Sequence, residues 1–349
     1  MGSVALFVPH VGCPQQCSFC DQRAITGGVQ PPTPWQVWQT AQAAASHLGQ
    51  RVKETEIAFF GGSFTAIPRG QMLSLLAPAK EAVERFGFRG LRCSTRPDAI
   101  DGEVLSLLKA YHMVAVELGA QSMDGEVLRL NRRGHSPEDT VRAAGLIRAA
   151  GLELGLQMMT GLYGSTPEKD VETARALIAL QPATVRVYPT VVLAGTELAT
   201  LYEAEVYRPQ TLEEAVALCA RLLSLFETAG VRVIRMGLHA EEDVERRRVA
   251  GPYHPAFREL AESRRFLEKL LPQLEAAGPG VYRAAVSPRD LSLVVGQKKA
   301  NVLALQRRGF LVRFVPEESW ARGTFALWKV ENQLEKERHA FKIVGAAGV

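Results

Sequence analysis

The sequence predicts an α/β protein built on a parallel sheet, and three observations carry that prediction. Short apolar runs alternate with longer amphipathic segments from Val4 to about Met236. Several helical segments open on capping residues or first-turn prolines, as at Ser136-Pro137 with Glu138 and Asp139, and at Thr166-Pro167-Glu168. Glycines and polar residues collect directly after the apolar runs, where parallel α/β proteins keep their chemistry. A barrel and an open doubly wound sheet both satisfy the pattern.

In chain order, strands are predicted at Ala5–Pro9, Glu56–Phe60, Gly90–Ser94, Met113–Leu118, Glu153–Met159, Thr184–Tyr188 and Val231–Arg235. Helices are predicted at Trp35–Leu48, Arg69–Phe86, Gly102–Ala110, Asp124–Leu130, Pro137–Ala150, Pro167–Ala179 and Leu212–Ala229. The alternation then stops. Glu241–Arg248 reads as a charged, solvated helix, Gly251–Pro255 as a turn and Ala256–Leu274 as a further helix. Past Pro279-Gly280 comes a compact α+β pattern. It comprises strand Val281–Val286, a Gly296-Gln297-Lys298-Lys299 turn opening helix Ala300–Arg308, and strands Phe310–Val315 and Thr324–Lys329. Glu331–Lys342 reads as a charged helix or tail.

The unusual residues follow the strands. After the first comes Cys13-Pro14-Gln15-Gln16-Cys17-Ser18-Phe19-Cys20, on a loop because Gly12 and Pro14 break regular structure. Thiolates at spacings of four and three suit an iron–sulfur cluster or a zinc ion. A structural zinc site wants a closed tetrahedron, whereas three cysteines leave one iron of a four-iron cube open to an outside ligand. Later strand ends bring Gly61-Gly62-Ser63-Phe64-Thr65, Thr95-Arg96-Pro97-Asp98, Glu117–Ser122, Gly155–Gly164 and Arg186–Thr190. Each alone reads equally as a tight turn; the set, in step with the cysteine loop, reads as a ligand pocket. Cys93 and Cys219 stand isolated in strand and helix settings and do not by themselves supply a second cluster.

The 349 residues allow one large domain with an appendage or two ordinary domains, and 47% hydrophobic content supplies ample core. The N-terminus reads as lacking a signal peptide, and no apolar run is long enough to span a membrane. With three of five cysteines bunched, a reducing cytoplasm is the expected compartment. The net charge of +4 is uneven: residues 1–238 carry 22 basic against 23 acidic side chains, residues 239–349 carry 19 against 14. A basic tail beside a neutral body points to an anionic partner, nucleic acid first, or to an ordinary solvated surface.

Cys-x-x-x-Cys-x-x-Cys with an aromatic residue before the third cysteine, opening a β/α series, resembles the radical S-adenosylmethionine (SAM) superfamily over residues 4–238. Phe60–Thr65, Arg96-Pro97-Asp98, Val116–Ser122, Gln157–Leu162 and Tyr188-Pro189-Thr190 with Gly195-Thr196 are similar to the radical SAM domain of the Elongator catalytic subunit. The resemblance implies a partial (β/α)6 TIM-like barrel over 1–238, beyond which the pattern reads as a helical connector and a small basic α+β domain in 239–349, an RNA-binding or lid domain. It implies that Cys13, Cys17 and Cys20 hold a [4Fe–4S] cluster whose fourth iron takes SAM. Reductive cleavage, fed by a donor such as flavodoxin or ferredoxin, would then yield a 5′-deoxyadenosyl radical. By the same resemblance Phe19 lies against adenine. Gly61, Gly62 and Ser63 meet the methionyl amino group, and Ser94 and Arg96 its carboxylate. Glu117 and Gln121 serve the ribose or methionyl group, the Met158–Gly161 backbone packs on adenine, and Arg186 points into the same cavity. Arg186 pairing with Glu117 instead is the structural alternative. Asn131–His135 reads as a surface loop and His10 as a structural or supporting residue.

Two departures bear on function. Ser63 stands where many relatives carry an acid, and no acetyltransferase pattern follows the core, so Elongator's acetyl chemistry is not carried over. Three readings remain: a radical SAM enzyme acting on RNA, tRNA favoured; the same chemistry on a small molecule with the tail as lid; and a non-catalytic iron–sulfur sensor. In the first, Gly296–Lys299 opens a helix in a way suited to phosphate, faintly similar to the glycine loop of KH domains but without the second glycine.

Overall fold

The computed structural model describes residues 2–8, 13, 17–20, 30–238 and 242–330. The expectations for His10, Gly12, Pro14 and the 331–342 tail lie outside these residues. The chain divides into two compact units, Met1–Ala215 with Leu225–Pro255, and Val216–Ser224 with Ala256–Val349.

The first unit is an open, curled half-barrel of seven parallel strands. They are β1 (Gly2–Val8), β2 (Thr55–Gly61), β3 (Gly90–Thr95), β4 (Met113–Gln121), β5 (Glu153–Thr160), β6 (Thr184–Pro189) and, after the two-residue β7 (Val192–Leu193), β8 (Arg232–Met236). Sheet order follows chain order, β7 excepted, as right-handed β–helix–β crossovers require. β7 pairs instead with β9 (Arg248–Ala250). Helices α1 (Pro34–Leu48), α2 (Arg69–Phe86), α3 (Gly102–Ala110), α4 (Gly125–Leu130), α5 (Pro137–Ala149) and α6 (Pro167–Ala179) provide the crossovers, followed by α7 (Glu197–Glu203) and α8 (Leu212–Thr228). Thr33, Ser136 and Thr211 each close a capping box onto the third residue of their helix, which fixes where α1, α5 and α8 start.

Alternation along the strands gives the sheet two faces. Ile57 and Phe59, Leu91 and Cys93, Val116 and Leu118, Leu154 and Leu156, Val185 and Val187 are all buried to within 2% exposure. The residues between them, including Glu56, Phe60, Arg92, Ser94, Glu117, Gln157 and Arg186, share the other face. Polar groups on the inner face of a half-barrel have no helix to satisfy them, so they pair with one another or meet a ligand.

After α9 (Glu242–Arg247), the second unit contains α10 (Phe257–Ala277), β10 (Gly280–Val286), the short α11 (Leu291–Val295), α12 (Ala300–Arg307), β11 (Phe310–Pro316) and β12 (Phe325–Lys329). β10 lies between parallel β11 and antiparallel β12. One face of this sheet packs Tyr282, Ala284, Val286, Phe310 and Val312 against Phe266, Leu270 and Leu274 of α10.

The elements depart from expectation in small ways. β1 begins at Gly2, because its pairing with β2 runs the full length of both strands. Arg248 is in a strand rather than a charged helix. α7 and α11 were not anticipated; α7 starts where the Thr196 hydroxyl accepts from the Ala199 amide at 3.2 Å. No helix among the described residues is long and apolar enough to cross a membrane.

Candidate active site

The cysteine segment is tied down by side chains far from it in sequence. Ser18 donates its amide to the Asn131 carbonyl (3.2 Å) and its hydroxyl to Asn131 Oδ1 (2.7 Å), and its own carbonyl accepts from the Leu198 amide (2.8 Å). Asn131 is fully buried and spans onward, donating Nδ2 to the Val127 and Tyr163 carbonyls at 2.8 and 2.9 Å. Phe19 packs with the apolar cluster of Val192, Leu198, Ala199 and Tyr207. Asn131–His135 is therefore not a plain surface loop: Asn131 and His135 are buried. The polarity of that run hid it, since the partners sit on other strands and loops.

None of the three cysteines is in a disulfide; Cys13 is exposed and Cys17 and Cys20 are half-buried. Arg133 bridges the Cys17 sulfur (Nη1, 3.3 Å) and the Gly119 carbonyl at the end of β4 (Nη2, 2.7 Å). Cys13 Sγ stands 3.7 Å from Ser63 Oγ, after β2. Arg96, after β3, holds Asp98 through two hydrogen bonds of 2.8 and 2.6 Å. That bonding to Asp98 lifts Arg96 above its usual range, and the charges of Cys13 and Cys17 add to it. Among the described residues no group of three His, Cys, Asp or Glu side chains converges tightly enough to hold one metal ion. An iron–sulfur cube spreads its thiolates over separate irons, so this loop with its cationic surround fits that group.

Beside the thiols, the ends of β1 and β2 touch. Gly61 has φ +117°, and a Cβ there would come within 2.7 Å of the Val8 carbonyl oxygen, so only glycine allows the approach. The Gly62 amide donates to that same oxygen at 2.9 Å. Ser63 is buried.

On the inner face, Arg186 Nε lies 2.8 and 2.9 Å from the two oxygens of Glu117, which is 2% exposed, and Ser94 donates to the same carboxylate at 3.4 Å. Burial disfavours the Arg186 charge, but Glu117 outweighs it and holds the guanidinium above its usual value. The same group lies 5.0 Å over the Phe60 ring. The structural alternative for Arg186 is thus realised; the pair remains on the face where a ligand would sit. Gln121 is buried in a left-handed conformation (φ +64°), and its Oε1 has no hydrogen-bond partner among the described residues.

At the end of β5 the Met158 side chain is turned away from the inner face. Met158 is fully buried on the helix-facing side, opposite Gln157 and Met159. Gly161 turns at φ +68°, its amide donating to Asp170 Oδ2 (2.8 Å) and its carbonyl accepting from Tyr207 Oη (2.6 Å). Ser165 donates to the other Asp170 oxygen at 2.6 Å. Burial nevertheless pushes the Asp170 carboxyl up to about 6. His135 hydrogen-bonds the Ala120 carbonyl through Nε2 at 3.1 Å; burial and the Arg133 charge push its imidazole down to about 4. From sequence Asn131 and Arg133 were placed on a surface loop and Gln157 only within a family-like phrase, while Asp170 and Tyr207 were not singled out. For Asp170 a signal existed, an acid in the first turn of α6 behind a glycine-rich turn.

Comparison with known proteins agrees with this geometry. The family described as the radical SAM superfamily matches residues 7–177, and the radical SAM C-terminal domain matches 182–269. The tRNA uridine(34) acetyltransferase of Methanocaldococcus jannaschii is 29% identical over 198 residues, 51% of this chain and 37% of that protein. The one from Dehalococcoides mccartyi is 28% identical over 59% of this chain and 52% of its own length. Elongator complex protein 3 of Homo sapiens is 28% identical over 62% of this chain and 43% of its length. The chain thus spans about half or less of these relatives. The solved archaeal Elp3 of Methanocaldococcus infernus superposes with a TM-score of 0.61, covering 77% of this chain and 63% of that one at 23% identity, which speaks for the fold. On the cysteine loop, the half-barrel and these matches, the chain belongs to the radical SAM superfamily, in a branch resembling the radical SAM domain of Elongator.

Proposed function

We propose that this radical SAM enzyme binds a [4Fe–4S] cluster and SAM at the cysteine loop and modifies RNA, with tRNA the favoured substrate. The observation that carries the cofactor half is the loop of three cysteines outside any disulfide, with Arg133 on the Cys17 sulfur and Cys13 beside Ser63 at the end of β2. The RNA half draws support from relatives whose names specify a tRNA uridine and from the basic excess in residues 239–349. Bound together, cluster and SAM supply a 5′-deoxyadenosyl radical.

The chain's own groups provide the setting. Cys13, Cys17 and Cys20 hold the cluster, and Phe19 lies at the adenine side. Gly61, Gly62 and Ser63 present close backbone and a hydroxyl to the methionyl amino group. Arg96, held by Asp98, and Ser94 serve the carboxylate. Glu117, oriented by Arg186, and the buried Gln121 amide offer acceptors to the ribose or methionyl end. The Met158–Gly161 backbone, braced by Asp170 and Tyr207, supports adenine.

Anaerobic reconstitution with iron and sulfide, followed by dithionite and SAM, should release 5′-deoxyadenosine. A fully loaded protein that releases none would overturn the reading. Nucleoside analysis of tRNA from a deletion strain then identifies the modified base; an unchanged tRNA profile would remove tRNA from the proposal.

A further inference from the structure

The sheet of the second unit has two faces, and strand register decides what each carries. Arg283 of β10 stands opposite Arg313 of β11 and opposite Trp328 of β12. Directly opposed residues project to the same side of a sheet, so the three form one cross-strand row. Their neighbours Tyr282, Ala284 and Val312 enter the core against α10, which leaves the row on the face turned away from the helices. With strands about 4.8 Å apart, the row spans roughly 10 Å.

All three side chains are exposed, Trp328 by 48%. An exposed strand tryptophan is commonly explained by a guanidinium or ring stacked on it. Trp328 has no ring, cation–π or side-chain hydrogen-bond contact among the described residues. Arg313 has no ion-pair partner among them. The nearest carboxylate to Arg283 is Glu317 at 3.9 Å, with both side chains well exposed, which is a weak pairing. The indole stands beside Arg283, with Arg313 next along the row, so a ring able to stack on a base adjoins two guanidinium groups able to meet phosphates.

We propose that the Arg313–Arg283–Trp328 row is a stacking platform for single-stranded RNA. A base stacks on the Trp328 indole, while Arg283 and Arg313 take the adjoining phosphates. The assignment rests on the reading of this chain as RNA-acting. It moves the contact from the Gly296–Lys299 turn, suggested by sequence, to this exposed row of side chains.

The test titrates labelled oligouridine, oligoadenylate and a blunt RNA duplex with the full chain across a salt series. Single strands should bind more tightly than duplex and quench tryptophan fluorescence, with the quench lost in Trp328→Phe while most of the affinity stays. Trp328→Ala should weaken binding about ten-fold. Arg283→Ala and Arg313→Ala should each lower the salt slope by about 0.7. Thermal melts of each variant separate lost binding from lost folding, and Trp328→Phe keeps the ring in place. Parental affinity in folded Trp328→Ala and both arginine variants would overturn the platform. So would a loss carried by Lys298→Ala and Lys299→Ala alone. A dimer dissolved by Trp328→Ala at unchanged RNA affinity would show the row pairing two copies instead. This binding needs neither cluster nor SAM, whereas 5′-deoxyadenosine release needs no RNA, so either reading can fail without the other.

Discussion

At Asp170 a buried carboxyl holds a turn, and its protonation gives the site a measurable signature. Two hydrogen bonds from the Gly161 amide and the Ser165 hydroxyl favour the charged form, yet burial dominates and the group titrates near about 6 rather than 3.8. The native state therefore holds this proton where the unfolded chain has already released it. The stability so gained is present below about pH 4 and is lost as pH rises through about 6. Asp170→Asn removes the titration. Parent minus variant stability should fall by on the order of 2 kcal/mol between those limits in urea unfolding. A difference that stays flat with pH would contradict the buried, protonated carboxyl. Strand parity turns the Met158 side chain to the helices, which leaves its backbone as the part offered to the pocket and Gln157 facing inward.

At the scale of elements, the two ends of the parallel strands do different work. Where β2, β3 and β5 begin, Glu56, Arg89, Arg92 and Glu153 form an ion-pair network, with Arg92 2.6 Å from Glu56 and 3.2 Å from Glu153. Arg92 and Glu56 are almost fully buried. Removing one partner of a buried pair leaves the other uncompensated, so Arg92→Ala should cost about 3 kcal/mol in denaturant unfolding. Adding Glu56→Gln should recover part of that loss, and a purely additive double variant would show the pair is not coupled. The network was not legible from sequence, because its members lie in separate strands and meet only once parallel register is set. The strands were legible, since each combines an apolar run with a cap or glycine signal, and so were the strand ends, where glycine and polar residues interrupt the pattern. α7 lacked a long enough amphipathic run to be read.

For the whole molecule, the cysteines divide into two chemical classes that one experiment separates. Cys13, Cys17 and Cys20 share a partly open loop under guanidinium donors, whereas Cys93 is fully buried in β3 and burial pushes its thiol up to about 12. Iodoacetamide applied to the folded, cluster-free chain should label the loop cysteines and leave Cys93 untouched until denaturant is added. Labelling of Cys93 at the loop's rate would refute that partition. The spacing of the three loop cysteines made the family readable from sequence. The groups that surround them were not readable, since Arg133 and Asn131 reach the loop from more than a hundred residues away.

The anchoring of Ser18 by Asn131 has a consequence for assembly. Fixing one residue's backbone costs about 1–2 kcal/mol, so a loop ordered only on metal uptake would charge that entropy to the cluster. Here Ser18 is already held by Asn131 and Leu198, and Cys17 by Arg133, so that part of the ordering is settled when the barrel folds. Under the proposed function, iron and sulfide would then arrive at a part-formed cradle. Uptake by such a chain is a bimolecular capture rather than coupled folding, and losing the cluster need not unravel the fold around it.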